Sequence, residues 1–214
     1  FYENTLKVRG NTCLKHIIVT RLQDYMSYSV QIVEKMAGRL NTAQLISGPG
    51  VQYLEDLLEQ YPPSPPVLEF DPKNDLMSIQ YTGGTTALPK GVRLTHYNVV
   101  ANVKQFQAWN VLREDGDVYL GLLPFYHIYG QVVILVAALS VGDTIVLLPR
   151  FQLEDVLRTV ERYKISNFFG VPPIYVAMVN YKDLKKHSLK SVKLFTTSAT
   201  ALALEVQKKF QELT

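Results

Sequence analysis

The chain has 214 residues, 47% of them hydrophobic and 19% charged, a balance that suits one substantial α/β core and excludes disordered and fibrous classes. Its 22 Lys and Arg against 19 Asp and Glu give a net charge of +3, scattered with no basic stripe or tail, which argues against nucleic acid as a partner. Cys13 is the single cysteine, so no internal disulfide forms, and a reducing, cytoplasmic location is the expectation.

The first 75 residues show weak periodicity. His16–Thr20 reads as a strand and Leu54–Leu58 as a short helix, and the prolines of Tyr61–Pro66 impose an extended segment. Its PxxP spacing also fits a ligand of a proline-binding module, but no basic residue flanks it, so a stiff surface connection is the better reading. From residue 76 onward, β-rich runs alternate with helical patterns. That rhythm predicts an α/β fold, with a mainly parallel β-sheet and flanking helices.

In order, Leu76–Thr82 is a predicted strand, and after a loop Thr95 caps a helix with Val99, Val103 and Phe106 on one face. Asp117–Leu123 is the next strand, followed by an apolar helix over Gln131–Val141, which Gly142 ends. Its most apolar part, Val132–Val141, is about half of the roughly 20 residues a membrane span requires, so it reads as a buried helix. Strand Asp143–Leu148 leads to the amphipathic helix Gln152–Tyr163, with Leu153, Val156, Leu157 and Val160 inward. Ile165–Val171 is a strand, Pro172-Pro173 opens a helix to Asn180, and Lys182–Lys190 reads as a solvated connection. Val192–Thr197 returns to the sheet before a last helical pattern over Leu204–Thr214. That pattern stops without a cap, and the chain opens on Phe1 without an initiator methionine. Both ends therefore read as cut, and nothing at the start suggests export.

The chemistry-bearing segment is Tyr81-Thr82-Gly83-Gly84-Thr85-Thr86-Ala87-Leu88-Pro89-Lys90-Gly91-Val92. Adjacent glycines let main-chain N–H groups approach an anion closely. Thr82, Thr85 and Thr86 add hydroxyl donors, and Lys90 supplies a positive charge for a polyphosphate. A Walker loop would need Gly in place of Pro89 and Ser or Thr in place of Gly91, which disfavours a P-loop NTPase. Without Pro-Lys-Gly, the segment would read as a plain Gly/Thr turn.

These residues resemble the adenylate-forming superfamily of acyl-CoA synthetases, aryl-CoA ligases, luciferases and peptide-synthetase adenylation domains, whose loop reads roughly Y-T-[SG]-G-T-T-G-x-P-K-G-V. The sequence departs from that pattern at Ala87, where the family has Gly. Leu123-Pro124-Phe125-Tyr126-His127-Ile128-Tyr129-Gly130 is similar to the family's L-P-x-x-H-x-x-G, which implies that His127 lines the acyl site. Taken alone, His127 would more often be a core histidine. Gly170-Val171-Pro172 resembles a G-V-P segment beside the acyl pocket, and also reads as a structural break before a helix. Thr197-Ser198-Ala199-Thr200-Ala201-Leu202 stands in the place of S-G-G-A-P-L, next to the acyl-adenylate, with Ser198 and Ala199 replacing two glycines. A plain strand-to-helix turn fits that segment equally well. Leu14–Thr20, with a loose match to about residue 40, resembles fatty-acyl members.

The resemblance implies that residues 1–214 are part of the large N-terminal AMP-binding domain, with the mobile C-terminal domain absent. It implies an enzyme that joins a fatty acid to CoA at the expense of ATP, with Mg2+ sharing the phosphate charge. The expected ligands are thus fatty acid, ATP and CoA. The family's adenine-binding Y-G-x-T-E, ribose-binding Asp and catalytic Lys all follow these motifs, so no complete catalytic or metal-binding set is expected here. This chain by itself is expected to be inactive and to self-associate through cut apolar faces. An enzyme for an aryl acid, luciferin or amino acid, a non-catalytic binding module, and a scaffold with a degenerate loop remain as alternatives.

Overall fold

Residues 2–38, 48–82, 88–109 and 115–214 are described by a computed structural model, which divides into two units, Phe1–Leu68 and Glu69–Thr214. The first unit holds α1 (Tyr2–Arg9), β1 (Ile17–Val19), a 3-10 turn (Leu22–Tyr25), α2 (Tyr28–Met36), β2 (Val51–Tyr53) and α3 (Leu54–Gln60). The strand and helix expected near residues 16–20 and 54–58 are present. Strand β1 pairs with β2 in parallel, Ile17 opposite Val51. Neither α1 nor α2 buries a residue, so neither has the buried stripe that periodicity detects. The Thr20 hydroxyl donates to Glu55 Oε1 at 2.8 Å, and Arg21 pairs with Asp24 while lying over the Tyr53 ring. A recess lined by Arg21, Tyr53, Glu55 and Asp56 contains none of the predicted site residues.

The second unit begins with an antiparallel hairpin of β3 (Leu76–Thr82) and β4 (Lys90–Thr95). The sequence alone assigns residues 83–94 to a loop, and β4 corrects that expectation. A hairpin closed by a long connection lacks the two-residue Gly or Asn turn by which hairpins are read. Thr95 caps α4 (His96–Trp109) as expected, its hydroxyl accepting from the Asn98 N–H while Asn98 Oδ1 accepts from the Thr95 N–H, each at 3.2 Å.

The main sheet contains β5 (Val118–Gly121), β6 (Thr144–Leu147), β7 (Asn167–Gly170) and β8 (Leu194–Thr197). All pairings are parallel, in the order β6-β5-β7-β8. Both faces are covered, as parallel sheets require. On one, Leu120 and Phe168 pack with Val156, Leu157 and Val160 of α6 (Leu153–Tyr163), Tyr175 and Met178 of α7 (Pro172–Asn180), and Phe210 of α8 (Leu204–Leu213). On the other, Tyr119 and Phe169 pack with Ile134 and Ala138. The predicted apolar helix is present here, but residues Gly130–Val136 form a π-helix that passes into the short α5 (Ala137–Leu139). The wider turn leaves apolar composition unchanged, so the pattern does not announce it.

The amino ends of the strands are tied by buried polar groups. Ser166 donates to Asp117 at 2.8 Å and accepts from the Val118 N–H at 2.9 Å, while Lys193 reaches Asp117 at 3.4 Å.

The expected solvated connection Lys182–Lys190 is corrected in part. Its lysines are exposed, but Leu184 and Leu189 are buried in the core and residues Leu184–Lys186 form a 3-10 turn. Glu161 on α6 holds this segment, accepting from the Ser188 N–H and meeting His187 Nδ1 at 3.1 Å. The Ser188 N–H first, then His187, keep the Glu161 carboxyl below its ordinary value. A depressed carboxylate pKa stabilises the fold above the unfolded-state value, and that contribution is lost as pH falls through the folded-state value. Hydrogen exchange at residues 184–189 should therefore accelerate relative to the α6 core on acidification. Glu161→Gln should blunt this acid response, and a response of wild-type size in that variant would remove Glu161 as its source.

Candidate functional site

Strand β3 ends at Thr82 and β4 begins at Lys90. Thr82 and Lys90 are register partners at the hairpin's stem, and the Thr82 hydroxyl donates to the Lys90 carbonyl at 3.5 Å. Both residues are exposed. Antiparallel pairing fixes the Lys90 main chain while its long side chain extends into solvent, an arrangement suited to reaching a phosphate. Gly83, Gly84, Thr85, Thr86 and the departure at Ala87 lie outside the described residues.

The strand order reverses between β5 and β7, because the chain leaves β5 for β6 and then returns to the opposite side of β5. Connections diverge at such a point, and the crevice at the strands' carboxyl ends is where open α/β sheets bind ligands. The turn holding His127 follows β5, Gly170 closes β7 with Val171 next, and Ser198, Ala199, Thr200 and Ala201 follow β8. All these predicted residues thus lie at the carboxyl ends of the strands.

His127 is exposed, and its Nδ1 accepts from the Tyr129 N–H at 3.2 Å, which leaves Nε2 to carry the proton of the neutral ring. Ser198 is half-buried, whereas Ala199, Thr200 and Ala201 are exposed. A Cβ on Gly170 would fall 2.8 Å from the Tyr175 ring, so glycine there lets the ring lie against β7. Tyr175 donates to the Thr196 carbonyl at 2.7 Å. Burial first, then neighbouring Tyr129, holds the Tyr175 phenol far above its ordinary value. Burial also raises the Tyr129 phenol: Ser198 acts in the opposite direction, but no hydrogen bond of good geometry joins them. Both phenols therefore stay neutral hydroxyls. Sequence reasoning singles out neither tyrosine. Tyr129 sits inside the His127 motif and Tyr175 follows Pro172-Pro173, but nothing in their spacing announces that Tyr129 meets Phe169 or that Tyr175 reaches Thr196.

Ala199 has φ of 74°, a left-handed conformation that costs a residue with a Cβ roughly 1–2 kcal/mol. This position replaces a glycine of the resembled motif. Ala199→Gly should stabilise the protein by roughly 0.5–1 kcal/mol, after the greater freedom of unfolded glycine offsets part of the relief. A lowered urea midpoint in that variant would contradict the assigned backbone.

Residues 11–214 match the family model described as AMP-binding enzyme. A long-chain-fatty-acid–CoA ligase of Bacillus subtilis is 29% identical over 223 aligned residues, which cover 100% of this chain and 39% of that protein. A probable 4-coumarate–CoA ligase of Dictyostelium discoideum is 34% identical over 148 residues, 69% of this chain and 27% of its own length. Among solved structures, the anthranilate–CoA ligase AuaEII in complex with anthranoyl-AMP superposes with a TM-score of 0.75 at 24% identity, covering 99% of this chain and 41% of that one. The N-terminal domain of FACL13 from Mycobacterium tuberculosis does so with a TM-score of 0.71 at 20% identity, over 99% and 51%. The chain therefore spans about two fifths or less of the length of the Bacillus subtilis and Dictyostelium discoideum ligases. With the loop sequence, the parallel sheet and a family match over nearly its whole length, the chain belongs to the AMP-binding enzyme family.

Proposed function

We propose that this chain is the phosphate- and acyl-binding part of an AMP-forming fatty-acid–CoA ligase, with residues 1–214 lying inside its larger N-terminal domain. The observation that carries this reading is the hairpin that puts Thr82 and Lys90 at the stem of the Gly/Thr loop. Fatty acid is favoured as substrate because the similarity to the Bacillus subtilis ligase spans the whole chain. An aryl acid is the second reading, favoured by the higher identity to the 4-coumarate ligase over a shorter stretch.

In this reaction the acid's carboxylate oxygen attacks the α-phosphorus of ATP and pyrophosphate leaves. The CoA thiol then attacks the acyl carbon, AMP leaves, and a thioester forms. Thr82, Gly83, Gly84, Thr85, Thr86 and Lys90 would bind the β- and γ-phosphates and offset the charge that gathers on departing pyrophosphate. His127, Gly170 and Val171 would border the acid, and Ser198–Ala201 the adenylate. Mg2+ enters as the counter-ion of ATP. Among the described residues no three His, Cys, Asp or Glu side chains converge to hold a metal, so no step is assigned to it. Among the same residues no helix is long and apolar enough to cross a membrane.

Titration calorimetry with Mg-ATP and with pyrophosphate tests this reading. Lys90→Ala should weaken binding at least about tenfold, the loss of one charge-assisted contact of roughly 1.5 kcal/mol or more. Equal affinity in the variant would remove Lys90 from the site, and no binding by wild type would overturn the phosphate-loop reading for this chain.

A further inference from the structure

The phosphate-loop hairpin and the crevice at the main sheet belong to separate sheets. They are joined by apolar packing, since Met77 and Leu94 of the hairpin contact the cluster that holds Val132 and Ala137. A polar contact is added farther along β3, toward the loop. Gln80 Nε2 donates to Gln131 Oε1 at 3.0 Å, in a partly buried setting. Gln80 lies just before Thr82 at the loop stem, and Gln131 lies in the first turn of the π-helix. The Gln131 N–H donates to the His127 carbonyl at 2.9 Å, and the His127 ring accepts from the Tyr129 N–H. A continuous chain of hydrogen bonds and main chain thus runs from the loop stem to the His127 turn. It meets the π-helix, a distortion that costs hydrogen-bond regularity and is frequent at functional sites.

We propose that Gln80 and Gln131 are positioning residues that couple occupancy of the phosphate loop to the placement of His127 and Tyr129 on the acid side. The proposal rests on nucleotide binding by the Gly/Thr loop. Apolar packing is non-directional, so by itself it does not specify which atoms meet between the two sites. A side-chain amide pair fixes one register between β3 and the π-helix, and a shift at the loop stem must either carry residues 127–131 with it or break the bond.

Hydrogen exchange at the backbone amides of residues 127–131, with and without saturating Mg-ATP, tests the coupling. In wild type, Mg-ATP should slow exchange there by about threefold or more. Gln131→Leu should abolish that slowing while Mg-ATP affinity by calorimetry stays within about twofold of wild type. Gln131→Glu keeps an acceptor for Gln80 and should retain the slowing, whereas Gln80→Glu loses the donor and should not. A residue that only supported the fold would alter exchange without ligand as much as with it. Wild type that binds Mg-ATP with unchanged exchange at 127–131, or Gln131→Leu that retains the slowing, would overturn the coupling alone. Absence of Mg-ATP binding by wild type would overturn the nucleotide reading and the coupling together.

Discussion

Phe169→Ala is expected to destabilise the protein by about 3–5 kcal/mol, the range for truncating a fully buried aromatic side chain. Phe169 is 0% exposed on β7, an interior strand of the sheet. Its ring stacks on Tyr119 at 5.5 Å and meets the edges of Phe106 at 5.8 Å and Tyr129 at 6.3 Å. Loss of that ring leaves a cavity among three aromatic groups drawn from β5, α4 and the segment after His127, which cannot all move inward at once. Against a usual total stability of about 5–15 kcal/mol, the effect is a large fraction of the whole. Phe169→Leu should cost clearly less, because most of the volume is kept. Urea unfolding of the two variants checks the ordering. A loss below about 1 kcal/mol for alanine would show that the ring is not central to the core.

The same position shows what the sequence makes legible. The run Ile165–Val171 is short, apolar and bounded by turn residues, so it reads as a buried strand, and the structure places β7 inside it with every residue buried. The inward face of α6 is legible for a similar reason, since Val156, Leu157 and Val160 recur at helical spacing and are all fully buried. Strand β4 is not, because its pairing with β3 is decided across the long loop connection and not by a local turn. Leu184 and Leu189 are masked by the lysines around them, although two apolar residues in a basic run are enough to pin it to a core.

Of the candidate site, the parts encoded in consecutive residues are legible: the glycines, threonines and Lys90 of the loop, and the His127 segment. The meeting of Tyr129 with Phe169 is not, because it depends on β5 and β7 being neighbours in the sheet while β6 intervenes in the chain. Gln80 and Gln131 are hidden likewise, being 51 residues apart. Pairs of polar residues that meet only through topology leave no periodic trace.

Gly130→Ala should disturb the His127 turn more than its single added methyl suggests. A Cβ at residue 130 would sit 2.4 Å from the Pro124 carbonyl oxygen and 3.0 Å from that of Leu123. Both obstacles are main chain, so no flexible side chain can swing away. The Pro124 oxygen also accepts the His127 N–H at 3.1 Å, and displacing it would strain or break the bond that closes the turn. Overpacking of this kind costs about 1–3 kcal/mol, with a further ~1 kcal/mol if that hydrogen bond is lost. Gly10→Ala is the control, since a Cβ there meets nothing within 4 Å, and its stability should stay within about 0.5 kcal/mol of wild type. Denaturant midpoints give the energies, and amide shifts at His127 and Tyr129 report the turn directly. If Gly130→Ala matched the control in both readouts, the turn would be loose enough to absorb a side chain. The glycine of the L-P-x-x-H-x-x-G segment would then owe its place to something other than close backbone approach.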